Sequence, residues 1–215
     1  MQFRLEDITD AEIDRRRALY EPLTDAVRDL IDAVIRTEVD DDTIDVARTT
    51  VESVVASLRT KQIDGAFGVS YTTNLQGMPW GNAVVGVRNA VAPPLRTVRH
   101  DDGRVSADFT LGAAYEGPPG CVHGGVIALV LDQVFGEAGS ADNTPVFTGT
   151  LSFRYLRPTP LGELHAEAII VERDGRKKIV KGSLSDADGE TATAEGIFIE
   201  PKGWDQQMPH ARRVN

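Results

Sequence analysis

A chain of 215 residues, 41% of them hydrophobic, is long enough for one ordinary domain with an extension, or at most two small domains. Its formal net charge of −10 argues against non-specific binding to nucleic acid or to an anionic membrane surface. The single cysteine, Cys121, excludes an internal disulfide and fits a reducing, cytoplasmic setting.

The N-terminal stretch MQFRLEDITDAEIDRRR is charged and lacks the apolar core of a signal peptide. No run of ~18 apolar residues that could span a membrane is present. Leu23, Val27, Leu30, Ile31, Val34 and Ile35 recur at a spacing of 3–4 and predict one face of an amphipathic helix. Asp40-Asp41-Asp42 interrupts the pattern. A second helix follows, with Ile44, Ala47, Val51, Val54, Val55 and Leu58 inward and the acids at its N-terminus, where the helix dipole favours them. Residues 1–62 therefore read as a helical extension, a hairpin that packs on the main domain; a lid or a subunit contact is the alternative. Residues 63–81, rich in Gly, Asn, Thr and Tyr, read as a connector.

From residue 82 the pattern changes to strands. The valine-rich stretch 82–98 and the alternating Val105, Ala107, Phe109, Leu111 predict two strands, with Asp102-Gly103 as a hairpin turn between them. A loop to Cys121 leads into an apolar helix at about 124–138. Four more strands are expected at 146–157, 163–173, 176–186 and 190–200, with Asp174-Gly175 and Asp188-Gly189 as turns between the last three. The tail 201–215 carries two prolines and Arg212-Arg213 and is expected to be partly disordered. Val126 to Leu131, with Val134 and Phe135, leave the predicted helix almost no polar stripe, which implies burial all round. An antiparallel sheet curled around that helix satisfies this economically, making 82–200 one α+β domain whose sheet face or edge is open to a second subunit.

His123-Gly124-Gly125 at the head of this helix and Asp132 within it form the chemical signal. Tandem glycines at a helix start leave backbone N–H groups uncovered, suited to a developing oxyanion. A carboxylate in an apolar helix is costly unless it has a partner or a task, and no Lys or Arg stands at i±3 or i±4 of Asp132. Seven helical steps put Gly125 and Asp132 nearly on one face but about 10 Å apart. One chain can hardly bring both to a single carbonyl, so two copies of this helix, related by a two-fold axis, are expected to share each site. On chemistry alone, His123 is as well read as a capping or packing residue, Asp132 as a structural hydrogen-bond partner at an interface, and the glycines as turn residues. Cys121, two residues before His123, has no evident activating neighbour.

The stretches AYEGPPGCVHGGVIALVLDQVFG and FTGTLSFRYLRPTPLG resemble the hotdog-fold acyl-CoA thioesterases, most of all the PaaI-like and THEM4-like group. The resemblance covers roughly 80–200 and is carried by HGG, the aspartate nine residues after the histidine, and a threonine sixteen further on. It implies a hotdog fold, a curled antiparallel sheet around a long central helix, assembled as homodimers or dimers of dimers with shared active sites. It also implies hydrolysis of a fatty or aromatic acyl-CoA to the free acid and CoA. Asp132 would be the base or nucleophile, Gly124 and Gly125 the oxyanion site with the Gly125 N–H the preferred donor, and His123 a supporting or substrate-binding residue. Thr148 would position the carboxylate or water, with Thr150 a competitor in the same strand. Arg154, Arg157, Arg176 and Lys177, joined by Lys178 and Lys181, form the dense basic stretch of the C-terminal half. They are candidates for the CoA phosphates, or else protect a solvated sheet edge. No cofactor is expected beyond the CoA moiety of the substrate, and no metal. A non-catalytic acyl-CoA binding module and a hotdog dehydratase or hydratase are the competing readings.

Overall fold

The computed structural model describes residues 4–72, 77–142 and 144–202. The expected tail lies, from residue 203 on, outside the described residues, as does the piece 73–76 of the expected connector. The chain divides into two compact units, Met1–Asn82 with Gly86–Ala90, and Ala83–Val85 with Val91–Asn215. Among the described residues no helix is long and apolar enough to cross a membrane.

The first unit contains β1 (Arg4–Glu6), α1 (Asp10–Arg36), α2 (Asp41–Arg59), β2 (Ser70–Thr72) and β3 (Gly77–Met78). β1 runs parallel to β2, and β2 antiparallel to β3. α1 begins at Thr9, whose Oγ1 accepts the Glu12 N–H at 3.2 Å, a side-chain cap that satisfies one orphan donor of the first turn. Asp40 caps α2 in the same way, accepting the Thr43 N–H at 2.8 Å; this bond holds its carboxyl below the usual carboxylate range. A small core of Ile13, Met78 and Trp80 is joined by Ile8, Tyr20, Phe67 and Val87. The Arg88 guanidinium lies 3.9 Å from the centre of the Tyr20 ring, a cation–π arrangement.

The valine-rich stretch 82–98 does not form the expected strand; only Val98–Arg99 (β4) pairs. Local turns take the backbone instead. The Asn82 N–H bonds the Pro79 carbonyl at 2.9 Å, Arg88 bonds Trp80 at 2.8 Å, and Asn89 bonds Gly86 at 3.0 Å. A Cβ at Gly86 would stand 2.3 Å from the Asn82 carbonyl oxygen, so this folded turn requires glycine there.

The second unit adds β5 (Val105–Leu111), α3 (Gly124–Gly139), β6 (Phe147–Tyr155), β7 (Gly162–Asp174), β8 (Lys177–Asp186) and β9 (Gly189–Ile199). The strands form one antiparallel sheet in the order β4-β5-β7-β8-β9-β6, the hotdog arrangement. Gly103 and Gly175 turn two of its hairpins at φ 83° and 57°, values that favour glycine. α3 packs against β5 through β9. Ile127, Val130, Leu131, Val134, Phe135 and Ala138 of α3 meet Val105, Ala107, Phe109, Leu111, Leu164, Ala166, Val180, Leu184, Ala192 and Phe198 of the sheet in one core. Gly182 permits this approach, since a Cβ there would lie 2.8 Å from the Phe135 ring.

α3 is not covered all round. Gly125 and Leu129 are exposed, and Asp132 and Gly136 half-buried. At 100° per residue these four fall on one stripe. The apolar composition of the helix reflects three covered sides, and the fourth, bearing Gly125 and Asp132, is open.

Candidate active site

α3 starts from a loop whose shape is set by backbone pairing. Bridges join Glu116 to Val122 and Cys121 to Pro160, and the His123 N–H bonds the Tyr115 carbonyl at 2.9 Å. A Cβ at Gly117 would lie 2.7 Å from the His123 Cα, so the loop closes over His123 only because residue 117 is glycine. Cys121 is half-buried in this loop.

His123 is the N-cap of α3. Its Nδ1 accepts the Gly125 N–H at 3.0 Å, and its carbonyl accepts the Val126 N–H at 2.8 Å. Accepting at Nδ1 places the proton of a neutral ring on Nε2. The Gly125 N–H, the donor expected from the sequence to face an oxyanion, is therefore occupied by the imidazole. The Gly124 N–H has no acceptor among the described residues and is the open donor of this turn. The Gly124 carbonyl is also held, accepting the Tyr155 hydroxyl at 2.9 Å.

Further along α3, Asp132 Oδ1 accepts the Thr148 hydroxyl at 2.8 Å. The hydroxyl fixes one carboxylate oxygen and leaves the other on the open stripe. Thr148 and Tyr155 are seven apart, and on a regular strand they would point to opposite faces. β6 is not regular: Thr148 pairs with Phe198 and Thr150 with Ile197, so Gly149 is the extra residue of a bulge. A Cβ at Gly149 would stand 3.1 Å from the Ile197 carbonyl oxygen. The bulge resets the alternation. Thr148, Leu151, Phe153 and Tyr155 oppose Phe198, Gly196, Ala194 and Ala192, the buried side of β9. One strand thus bonds α3 at its first turn and at its middle.

The register assigns the remaining candidates. Thr150, opposite Ile197, lies on the other face of the sheet from Thr148. Arg154 shares that outer face, in a shallow groove of about 590 Å³ with Arg104, Glu167, Lys181 and Glu195. Arg157 is committed to Asp186, donating from Nη1 to Oδ2 at 2.8 Å and from Nη2 to Oδ1; this pairing holds the Asp186 carboxyl down to about 2. Arg176 Nη1 donates to the Glu200 carbonyl at 2.8 Å. Lys177 is exposed, and Lys181 pairs with Glu195 at 2.8 Å. Lys178 is buried at the C-terminal end of α3, donating to the Gly139 carbonyl at 2.8 Å and to both Asp142 carboxylate oxygens at 2.9 Å. Its ammonium complements the negative end of the helix dipole. The structure therefore brings His123, Gly124, Gly125, Asp132 and Thr148 onto α3 and the strand that bonds it, and disperses the basic residues.

Tyr155 was not singled out from the sequence. Its only signal there is an aromatic residue seven positions after Thr148, an odd separation that conceals their common face unless the bulge is foreseen.

A model of the family described as the thioesterase superfamily matches residues 119–193, which run from the loop before α3 into β9. Human acyl-coenzyme A thioesterase THEM5 is 26% identical over 95 residues, 43% of this chain and 38% of its own length. The rat (Rattus norvegicus) acyl-coenzyme A thioesterase THEM4 is 31% identical over 103 residues, 46% of this chain and 44% of its own. The chain thus spans less than half the length of these curated relatives. A crystal structure of a thioesterase superfamily protein is similar over both units: 35% identity, 84% of this chain and 94% of that one, with a TM-score of 0.76. By fold, by motif and by this near-complete match, the chain belongs to the thioesterase superfamily.

Proposed function

We propose that the protein hydrolyses an acyl-CoA thioester, releasing a free fatty or aromatic acid and CoA, with Asp132 as the base or nucleophile. The observation that carries this reading is the 2.8 Å bond from Thr148 to Asp132 on the open stripe of α3. An orienting hydroxyl, a carboxylate and helix-start N–H groups are the parts that acyl transfer needs. A thiolate is a good leaving group, so these suffice without a Ser-His-Asp triad. Thr148 holds Oδ1, and Oδ2 faces the carbonyl or a water. The Gly124 N–H is the first oxyanion donor; Gly125 joins it when the His123 ring turns away. His123 supports the loop rather than moving a proton.

Gly125 and Asp132 stand about 10 Å apart along one helix, so a complete site takes the glycine turn of one chain and the aspartate of another. The outer edge of β6 supports a second chain, since among the described residues β6 pairs only with β9 and an unpaired edge invites strand addition. A homodimer is the minimal assembly, and a dimer of dimers extends it. Arg154 and Lys177 are the exposed cations best placed to meet CoA phosphates, because Arg157 and Arg176 are engaged. The cytoplasm is the compartment that fits acyl-CoA and a single thiol.

The dehydratase reading requires an imidazole free to act as base, and the cap on Gly125 weighs against it. The binding-module reading is separated by experiment. Native protein is expected to release CoA from at least one of a panel of short, medium, long and aromatic acyl-CoAs, and Asp132→Asn to bind the same compound without turnover. Absence of thiol release across the panel overturns the hydrolase reading.

A further inference from the structure

In the first unit every residue from Ala33 to Ala66 is exposed, although this span contains the end of α1 and all of α2. α2 buries no residue and has no extended packing with any other element. Yet Ile44, Ala47, Val51, Val54, Val55 and Leu58 fall within a sector of about 100° on its surface. Leu19, Leu23, Val27 and Val34 of α1 form a second stripe, exposed by between 37% and 66%. Intrinsic propensity does not explain such a helix. Eight of its 19 residues are β-branched, which disfavours helix, and in proteins most helical stability comes from packing an amphipathic face rather than from propensity. What stabilises α2 must come from covering its stripe.

We infer that the α1–α2 arm is a self-association surface, occupied by the same arm of a second copy of this chain. Covering both stripes would remove on the order of 800 Å² per chain, the share each partner gives to a stable interface. Two identical amphipathic arms supply each other's missing apolar face in a two-fold pairing, where one patch serves both sides. The flank of the α2 stripe carries Asp41, Arg48, Glu52 and Arg59, two charges of each sign, with Arg48 bonded to Glu52 at 2.9 Å. That stripe therefore asks for no oppositely charged partner. The inference does not rest on the hydrolase reading.

Amide exchange across 41–59 in the full-length protein tests it, together with cross-linking of a mixture of isotopically heavy and light chains. The cross-linking chains carry Cys121→Ser and Val54→Cys and are joined with a short bis-maleimide. Native α2 is expected to exchange at least tenfold more slowly than the free peptide. Val51→Glu/Val55→Glu is expected to abolish that protection, and Thr49→Glu/Ser53→Glu on the opposite face to retain it. Arm-to-arm links between heavy and light chains are expected. Free-peptide exchange in the native protein overturns the proposal, as does protection that survives the stripe substitutions. Absence of a linked heavy–light species overturns it too.

Discussion

α3 and α2 differ by three residues in length, 16 against 19, yet α3 buries seven residues within its unit and α2 none. Each leaves one stripe uncovered, and the stripes differ in kind. That of α3 is narrow and carries two glycines, a carboxylate and one leucine; it suits a small reacting group. That of α2 is broad and aliphatic, and suits another helix. The same open surface thus has two meanings, separated by whether polar atoms on it are already aimed by neighbours, as Thr148 aims Asp132.

Substitutions can sharpen or break this contrast. The largest effect is expected for Asp132→Asn, a loss of ~10²–10⁴-fold in kcat, the range for removal of a general base, with an unchanged thermal midpoint. A fall in stability in parallel with activity would make Asp132 structural and the two stripes alike. Phe135→Ala, in the covered part of α3, is expected to cost ~3–5 kcal/mol in denaturant unfolding. Thr148→Val is expected to lower kcat roughly tenfold, as loss of an orienting hydrogen bond of ~1–1.5 kcal/mol allows, while Thr150→Val, on the other face, leaves kcat unchanged. Tyr155→Phe removes the bond to the Gly124 carbonyl and is expected to lower kcat by a few-fold with KM preserved. An equal effect on KM would make it a binding residue.

The smallest effect concerns acid stability. Burial works to raise the Asp142 carboxyl, but hydrogen bonds from Lys178 and Arg173 outweigh it and hold the group at about 2, below the ordinary 3.8. A depressed folded-state value means stability that is fully present above the ordinary value and lost as pH falls through about 2. The melting temperature of the native protein should therefore decline between about pH 4 and pH 2, and that of Asp142→Asn should decline less over the same window.

Much of the second unit was legible because its signals are local. Asp102-Gly103 and Asp174-Gly175 mark turns whose backbone requires glycine, and alternation from Val105 to Leu111 reports a half-buried strand directly. The stretch 82–98 misled because valine content speaks for strand propensity, whereas Gly86 and the turns around Trp80 depend on close approaches that propensity does not encode. The core positions of α3 were legible, but not its uncovered side, since a leucine such as Leu129 looks the same whether covered by its own chain or left open. At the site, residue type drew attention to Asp132, whereas Thr148 came only from the family resemblance. The capture of the Gly125 N–H by the His123 ring depends on a side-chain torsion, which spacing does not determine.

The bulge at Gly149 makes β6 sensitive to parity. Insertion or removal of one residue between Gly149 and Tyr155 would turn the tyrosine away from the glycine turn while Thr148 stayed on Asp132. The same change before Gly149 would do the reverse, and changes of two would leave both contacts reachable. In comparisons among relatives, a threonine and a tyrosine six apart on a smooth strand are therefore the spatial equivalent of seven apart across a bulge. Counting from the aspartate or from the tyrosine alone would select the wrong hydroxyl.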